Sequence, residues 1–151
     1  MLLQGTLNGP FSKRDHPAVP ISATELAHDA RACAAAGAKA FHLHPRDSMG
    51  RESLAPEVVD SVVTTVKAAC GLPVGVSTGA WIVPDLRDRI KLIQRWRAPD
   101  YATVNISEEG SSQVMSALQT SGVGIEAGVW TVDDVDRLVD SSTGVYKIAR
   151  R

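Results

Sequence analysis

The sequence has little that would send it to an oxidising compartment, a polyanion or a membrane. Its 2 cysteines, Cys33 and Cys70, both fall in stretches read as helices, on apolar faces where a thiol behaves as a small hydrophobe. Two thiols without a secretory segment do not make a disulfide framework, so a reducing cytoplasm is the expected location. Charge of one sign is also missing. Lys+Arg 16 against Asp+Glu 17 leaves a formal net charge of -1, and no field of one sign invites nucleic acid or an anionic lipid surface. The N-terminus, Met1-Leu2-Leu3-Gln4-Gly5-Thr6, has no basic region, and no run approaches the roughly 18 apolar residues of a membrane span. What is present is a hydrophobic fraction of 44% in 151 residues, the size and composition of one soluble domain with a core.

Along the chain, apolar stretches alternate between period 2 and period 3.6. Residues 2–8 read as a strand with Leu3 and Leu7 on one parity and Gln4, Thr6 and Asn8 on the other. A loop with Gly9, Pro10, Pro17 and Pro20 follows, longer than an ordinary βα connection and therefore a candidate functional loop. Ser22-Ala23-Thr24-Glu25 is a capping box, flanked by Ile21 and Leu26 as a hydrophobic staple, and Leu26, Ala30, Cys33 and Ala34 make the helix's apolar stripe up to Gly37. After the strand at residues 40–44 comes a Gly50 turn. Pro56 then opens a second helix whose Val58, Val59, Val62, Val63, Val66 and Ala69 recur at helical spacing until Gly71. Residues 73–79 form a third strand and its exit. Asp85 caps a third helix that buries Leu86, Ile90, Ile93 and Trp96, and residues 101–106 form a fourth strand. Residues 111–121 form a fourth helix ending at Gly122, and 124–129 a fifth strand. Thr131-Val132-Asp133-Asp134 opens a fifth helix with an acidic first turn, and a sixth strand is expected after Gly144.

Five βα units at roughly 30-residue spacing predict right-handed crossovers and a parallel sheet. Length favours a five-stranded doubly wound sheet over a closed barrel of about 250 residues. Strand composition favours the barrel. Each strand is apolar on one parity only (Phe41 and Leu43, Val74 and Val76, Val104 and Ile106, Ile125 and Val129), so helices are expected to cover one face alone. The expected architecture is therefore an α/β (β/α)8 TIM barrel, with residues 1–151 as the N-terminal portion, about the first five units, of a single domain.

The other parity, read at the C-terminal strand ends, gives Asn8, His42, His44, Ser77, Thr103, Asn105 and Glu126. In a strand, i and i+2 share a face with Cα atoms roughly 7 Å apart, which lets two imidazoles such as His42 and His44 converge on one ion with Zn–N bonds of about 2.0–2.1 Å. The set suggests a metal on two histidines, a polar cradle for an oxygen-rich ligand, and a carboxylate for acid–base or orienting work. A catalytic zinc ordinarily has three protein ligands. Glu126 is one source of the third, and a residue outside this chain is the other.

These residues carry a resemblance. His42-Leu43-His44-Pro45-Arg46-Asp47, Ser77-Thr78-Gly79, Thr103-Val104-Asn105 and Gly124-Ile125-Glu126, in this order, resemble the β-keto acid cleavage enzymes, and Leu7-Asn8-Gly9 followed by His16-Pro17 fits as well. The resemblance implies a zinc-dependent TIM barrel that condenses a β-keto acid with acetyl-CoA and releases acetoacetate and a new acyl-CoA, an acyltransferase acting through C–C cleavage. On that basis His42 and His44 are zinc ligands. Ser77, Thr103 and Asn105 bind the β-keto acid, with Asn8 and Thr78 expected beside them, and Glu126 orders or polarises the site as the catalytic carboxylate. Zinc and acetyl-CoA are the implied cofactor and co-substrate, a homo-oligomer the expected assembly, and nucleic acid and membrane are not expected partners. The family's third zinc ligand, a glutamate late in the barrel, and its proton-transferring arginine and aspartate have no counterpart in this chain. Phe11 stands where a typical member has an acidic residue for the substrate's amino group. The competing expectations are a non-catalytic gene fragment of such an enzyme, a class II aldolase-like metal lyase, and a complete five-stranded α/β domain that binds a small anion.

Overall fold

The computed structural model describes residues 2–141. Five parallel strands, β1 (Gln4–Thr6), β2 (Ala40–Leu43), β3 (Val74–Ser77), β4 (Tyr101–Asn105) and β5 (Gly124–Gly128), alternate with helices α1 (Ala23–Ala35), α2 (Pro56–Cys70), α3 (Leu86–Ile93), α4 (Ser111–Thr120) and α5 (Val132–Ser141). The sheet order is β1-β2-β3-β4-β5. Each strand therefore pairs with the next in sequence, and the order nowhere reverses as it does at the crevice of a doubly wound sheet. The expected sixth strand after Gly144 lies outside the described residues.

Local signals account for the helix ends. Ser22 Oγ accepts from Glu25 N while Glu25 Oε2 accepts from Ser22 N at 2.8 Å, closing the capping box at the start of α1. α2 has Pro56 in its first turn and ends on Gly71 at φ 66, the left-handed conformation that a side chain would strain. Asp85 caps α3 by accepting from Asp88 N at 2.9 Å. The third helix stops short of Trp96, however, because the Arg95 and Trp96 N–H groups tighten onto Leu92 O and Ile93 O in three-residue turns. Trp96 is fully buried all the same, its indole N–H donating to Leu54 O at 3.0 Å. β1 is shorter than residues 2–8.

One hydrophobic cluster joins Phe41, Leu43, Val74, Val76, Ala102 and Val104 of the strands with Leu26, Val59, Val63, Ile93, Val114 and Leu118 of α1 to α4. Those strand residues are of one parity, so the helices share one face of the sheet. Register then decides the other face. His42 pairs with Gly75, Gly75 with Tyr101, and Tyr101 with Gly124, while Ser77 pairs with Thr103 and Thr103 with Glu126. Parallel partners point the same way, so these side chains form transverse rows on the uncovered face. Tyr101 lies flat across β3 at Gly75, where an added Cβ would collide with its ring carbons. Its hydroxyl donates to Phe41 O at 2.6 Å and accepts from Gln4 Nε2 at 2.8 Å, so a side chain of β4 reaches across to β2 and β1. Burial pushes the phenol up to about 12, which keeps it a proton donor.

Gly75→Ala is expected to lower stability by about 1–3 kcal/mol, the usual cost of overpacking, because the Tyr101 ring is pinned at its far end; urea unfolding of the two proteins measures it. Acid sensitivity has a separate source. The Lys13 ammonium, then the Ser22 and Ile21 N–H groups and the Ser22 hydroxyl, hold Glu25 down to about 2 from its usual 4.5. The folded state binds this proton less readily than the unfolded chain, so the contribution is complete above pH 4.5 and fades as pH falls towards 2. Glu25→Gln should flatten the pH dependence of thermal unfolding within that interval and leave the rest of the profile alone.

Candidate functional site

The two histidines stand at the C-terminal end of β2, and each is held from a different direction. Where the β1–β2 ladder ends at Leu7 N donating to His42 O, the side chain of Asn8 takes over. His44 N donates to Asn8 Oδ1 and Asn8 Nδ2 donates to His44 O, both at 2.9 Å. Asn8, expected as a substrate contact, thus has both ends of its amide engaged by backbone and is almost fully buried. It fixes where the His44 backbone lies.

The imidazoles have their Nδ1 atoms occupied. Thr103 Oγ1 donates its only proton to Glu126 Oε2 at 2.5 Å, so it can only accept from His42 Nδ1, 3.0 Å away. His42 therefore carries its proton on Nδ1 and its lone pair on Nε2. Burial and the neighbouring His44 hold this imidazole down to about 4 from its usual 6.5 against the opposing pull of Glu126, which keeps it neutral near pH 7. His44 Nδ1 meets Glu52 Oε1, a carboxylate that can only accept, so Nδ1 is the donor of this contact. Among the described residues neither Nε2 has a hydrogen-bond partner, and the ring centres are 5.2 Å apart with planes at 75°. The result is a pair of imidazoles each engaged at Nδ1, with Nε2 left towards the open end of the sheet.

Glu126 sits behind this pair. Its oxygens accept from Gln4 Nε2 at 2.9 Å and from Thr103, and Oε2 lies 3.9 Å from His42 Nδ1. That is the side of His42 opposite Nε2, which removes Glu126 as a third ligand in this arrangement and makes it the group that orients Thr103 and, through it, His42. No group of three or more His, Cys, Asp or Glu side chains arranged to hold a metal occurs among the described residues.

The other expected residues ring the same end of the sheet. Ser77 Oγ accepts from Gly79 N at 3.1 Å and Thr78 Oγ1 donates to Thr103 O at 2.8 Å, and both residues are buried. Thr78 thereby ties the β3 exit to β4. Asn105 donates through Nδ2 to Glu108 Oε1 at 2.7 Å and accepts at Oδ1 from Trp130 Nε1 at 3.0 Å. Glu108 also takes Ala80 N at 2.9 Å and faces the buried Arg89 guanidinium at 3.4 Å, so one carboxylate links the exits of β3 and β4 to α3.

Gln4, Tyr101, Glu52, Trp81, Glu108 and Trp130 are contributors that sequence reasoning missed. For Glu52 a signal existed. Asp47 Oδ1 accepts from Met49 N and Arg51 N, Gly50 takes φ 77, and Arg46 bridges Glu52 antiparallel, so an Asp-x-x-Gly reversal returns residue 52 to the end of β2.

The family model of the beta-keto acid cleavage enzymes matches residues 1–141. The chain belongs to the beta-keto acid cleavage enzyme family. The match takes in all five βα units and every residue of the site just described, so the two imidazoles and their partners are features of a member of this family. No helix of the described residues is long and apolar enough to cross a membrane.

Asn8→Ala removes both partners of the His44 backbone at once and leaves a buried N–H and carbonyl without compensation. A loss of about 1–3 kcal/mol is expected, read by chemical denaturation.

Proposed function

We propose that this chain supplies the N-terminal five units of a zinc-dependent β-keto acid cleavage enzyme built on a (β/α)8 barrel. In the reaction a β-keto acid and acetyl-CoA give acetoacetate and a new acyl-CoA, so the chain's activity is acyl transfer with C–C cleavage. The observation that carries the reading is the pair His42 and His44, each with Nδ1 engaged and Nε2 unpartnered among the described residues. An imidazole centre lies about 3.2 Å from a zinc bound at about 2.0–2.1 Å, so two on one tetrahedral ion are separated by roughly 5 Å. The 5.2 Å between these rings fits. Zinc, when bound, supplies Lewis-acid polarisation of the keto and carboxylate oxygens of the substrate.

The chain's own residues do the rest of what it offers. His42 and His44 hold the ion, Glu126 and Thr103 keep His42 in the ligating tautomer, and Ser77, Thr103 and Asn105 border the space in which the β-keto acid is held. Asn105 Oδ1, released from the exposed Trp130 indole, is free to accept from a donor on the bound substrate. Phe11, exposed on the loop after β1, offers no carboxylate to an amine, which favours a substrate whose tail is not cationic. Barrel closure is supported by sequential strand order, by helices on one face and by polar rows on the other. The third zinc ligand and the acid–base groups of the C–C cleavage belong to strands beyond the five described. A homo-oligomer in a cytoplasmic setting is part of the same proposal.

Elemental analysis of the purified protein beside His42→Ala and His44→Ala tests the reading. Zinc content and acetoacetate formation from acetyl-CoA and a β-keto acid are both expected to fall in each variant. Zinc content unchanged in both would sink it.

A further inference from the structure

Glu52 is a carboxylate facing two ring N–H groups. Oε1 accepts a hydrogen bond from His44 Nδ1, and Oε2 accepts from Trp81 Nε1 at 2.8 Å. Its side chain is only 14% exposed, so its oxygens rely on these donors in place of water. Trp81 leans over His44 with ring centres 6.3 Å apart and planes within 26°, and it lies against Gly79, where any Cβ would run into the indole. The backbone confirms that Glu52 is placed rather than loose. Asp47 N donates to Arg51 O at 2.8 Å and Ser53 N to Pro45 O at 2.9 Å, so the reversal clamps residue 52 from both sides.

The two histidines are therefore held differently. His42 reaches its carboxylate through the Thr103 hydroxyl, whereas His44 meets one directly. A carboxylate on Nδ1 fixes the tautomer and raises the basicity of the opposite nitrogen. We infer that Glu52 is a positioning residue for His44: it holds the imidazole in the tautomer whose Nε2 can ligate, and the Trp81 indole keeps the carboxylate aimed. This rests on the metal reading given under Proposed function, but its first consequence appears without metal.

In the metal-free protein, long-range proton–nitrogen NMR of the imidazoles at neutral pH should show His44 protonated on Nδ1. Glu52→Ala should shift it towards the Nε2-protonated form. Glu52→Gln, which keeps the shape and can still accept a hydrogen bond, should fall between, and Trp81→Phe should retain the Nδ1 form. Zinc competition against a chromophoric chelator should then show binding weakened about 10–100-fold in Glu52→Ala, and less in Trp81→Phe. A wild-type His44 protonated on Nε2, or Glu52 variants with wild-type tautomer and zinc affinity, would overturn the role of Glu52 and leave the metal site standing. A wild-type protein with the Nδ1 form but no zinc binding would overturn the metal reading and with it the assignment of His44 as the ligand that Glu52 serves. Should Glu52→Ala not fold, the Gln and Phe variants carry the same comparison.

Discussion

Helices cover only one face of this parallel sheet, and almost everything else about the site follows from that. Polar groups on the uncovered face have no helix to bond to, so they satisfy one another across the strands. The chain from Phe41 O through Tyr101 and Gln4 to Glu126, Thr103 and His42 crosses β1, β2, β4 and β5. It passes over β3 because Gly75 has no side chain to stop it. The parity that drives Phe41, Leu43, Val74 and Val76 into the core therefore also drives the histidines to the opposite side. Core and site are two outcomes of one alternation.

The same rule explains what was legible from residue types alone. Strand parity, the Ser22 and Glu25 box, Pro56, Gly71 and the Asp85 cap are signals within a few residues of one another, and each appears where the sequence puts it. His42 and His44 are legible for the same reason, being two apart in one strand. Their partners are not. Thr103 is 61 residues from His42, Gln4 is 122 from Glu126, and Asn8 is 36 from His44. Such pairings depend on strand register, and register comes from packing between elements. Asn8 shows the consequence most clearly: its type and parity suit a substrate contact, while its position at the end of a ladder makes it a substitute for backbone.

Two devices hold the imidazoles, and their difference bears on how the site works. A hydroxyl stands between His42 and Glu126, and the Glu126 side chain is 38% exposed on β5, a strand with no buried residue. His44 is braced by a short loop that closes on itself. The His44 half of the pair is therefore set by residues 8 to 52 and the nearby Trp81, whereas the His42 half depends on β4 and β5 being correctly docked. His44 is thus braced from β1, the loop after β2 and the exit of β3, and His42 from β4 and β5.

That dependence gives the position of Glu126 a physical meaning. A carboxylate within β2 would orient His42 from its own strand. Placed on β5, it completes His42 only when five strands are in register, through Thr103 paired with it at the same level. Among the described residues β5 is the last strand of the sheet, with Glu126 on it and Asn105 on the neighbouring β4. The orientation of His42 is thus coupled to sheet register, since Thr103 and Glu126 meet it only where β4 and β5 are paired at the same level.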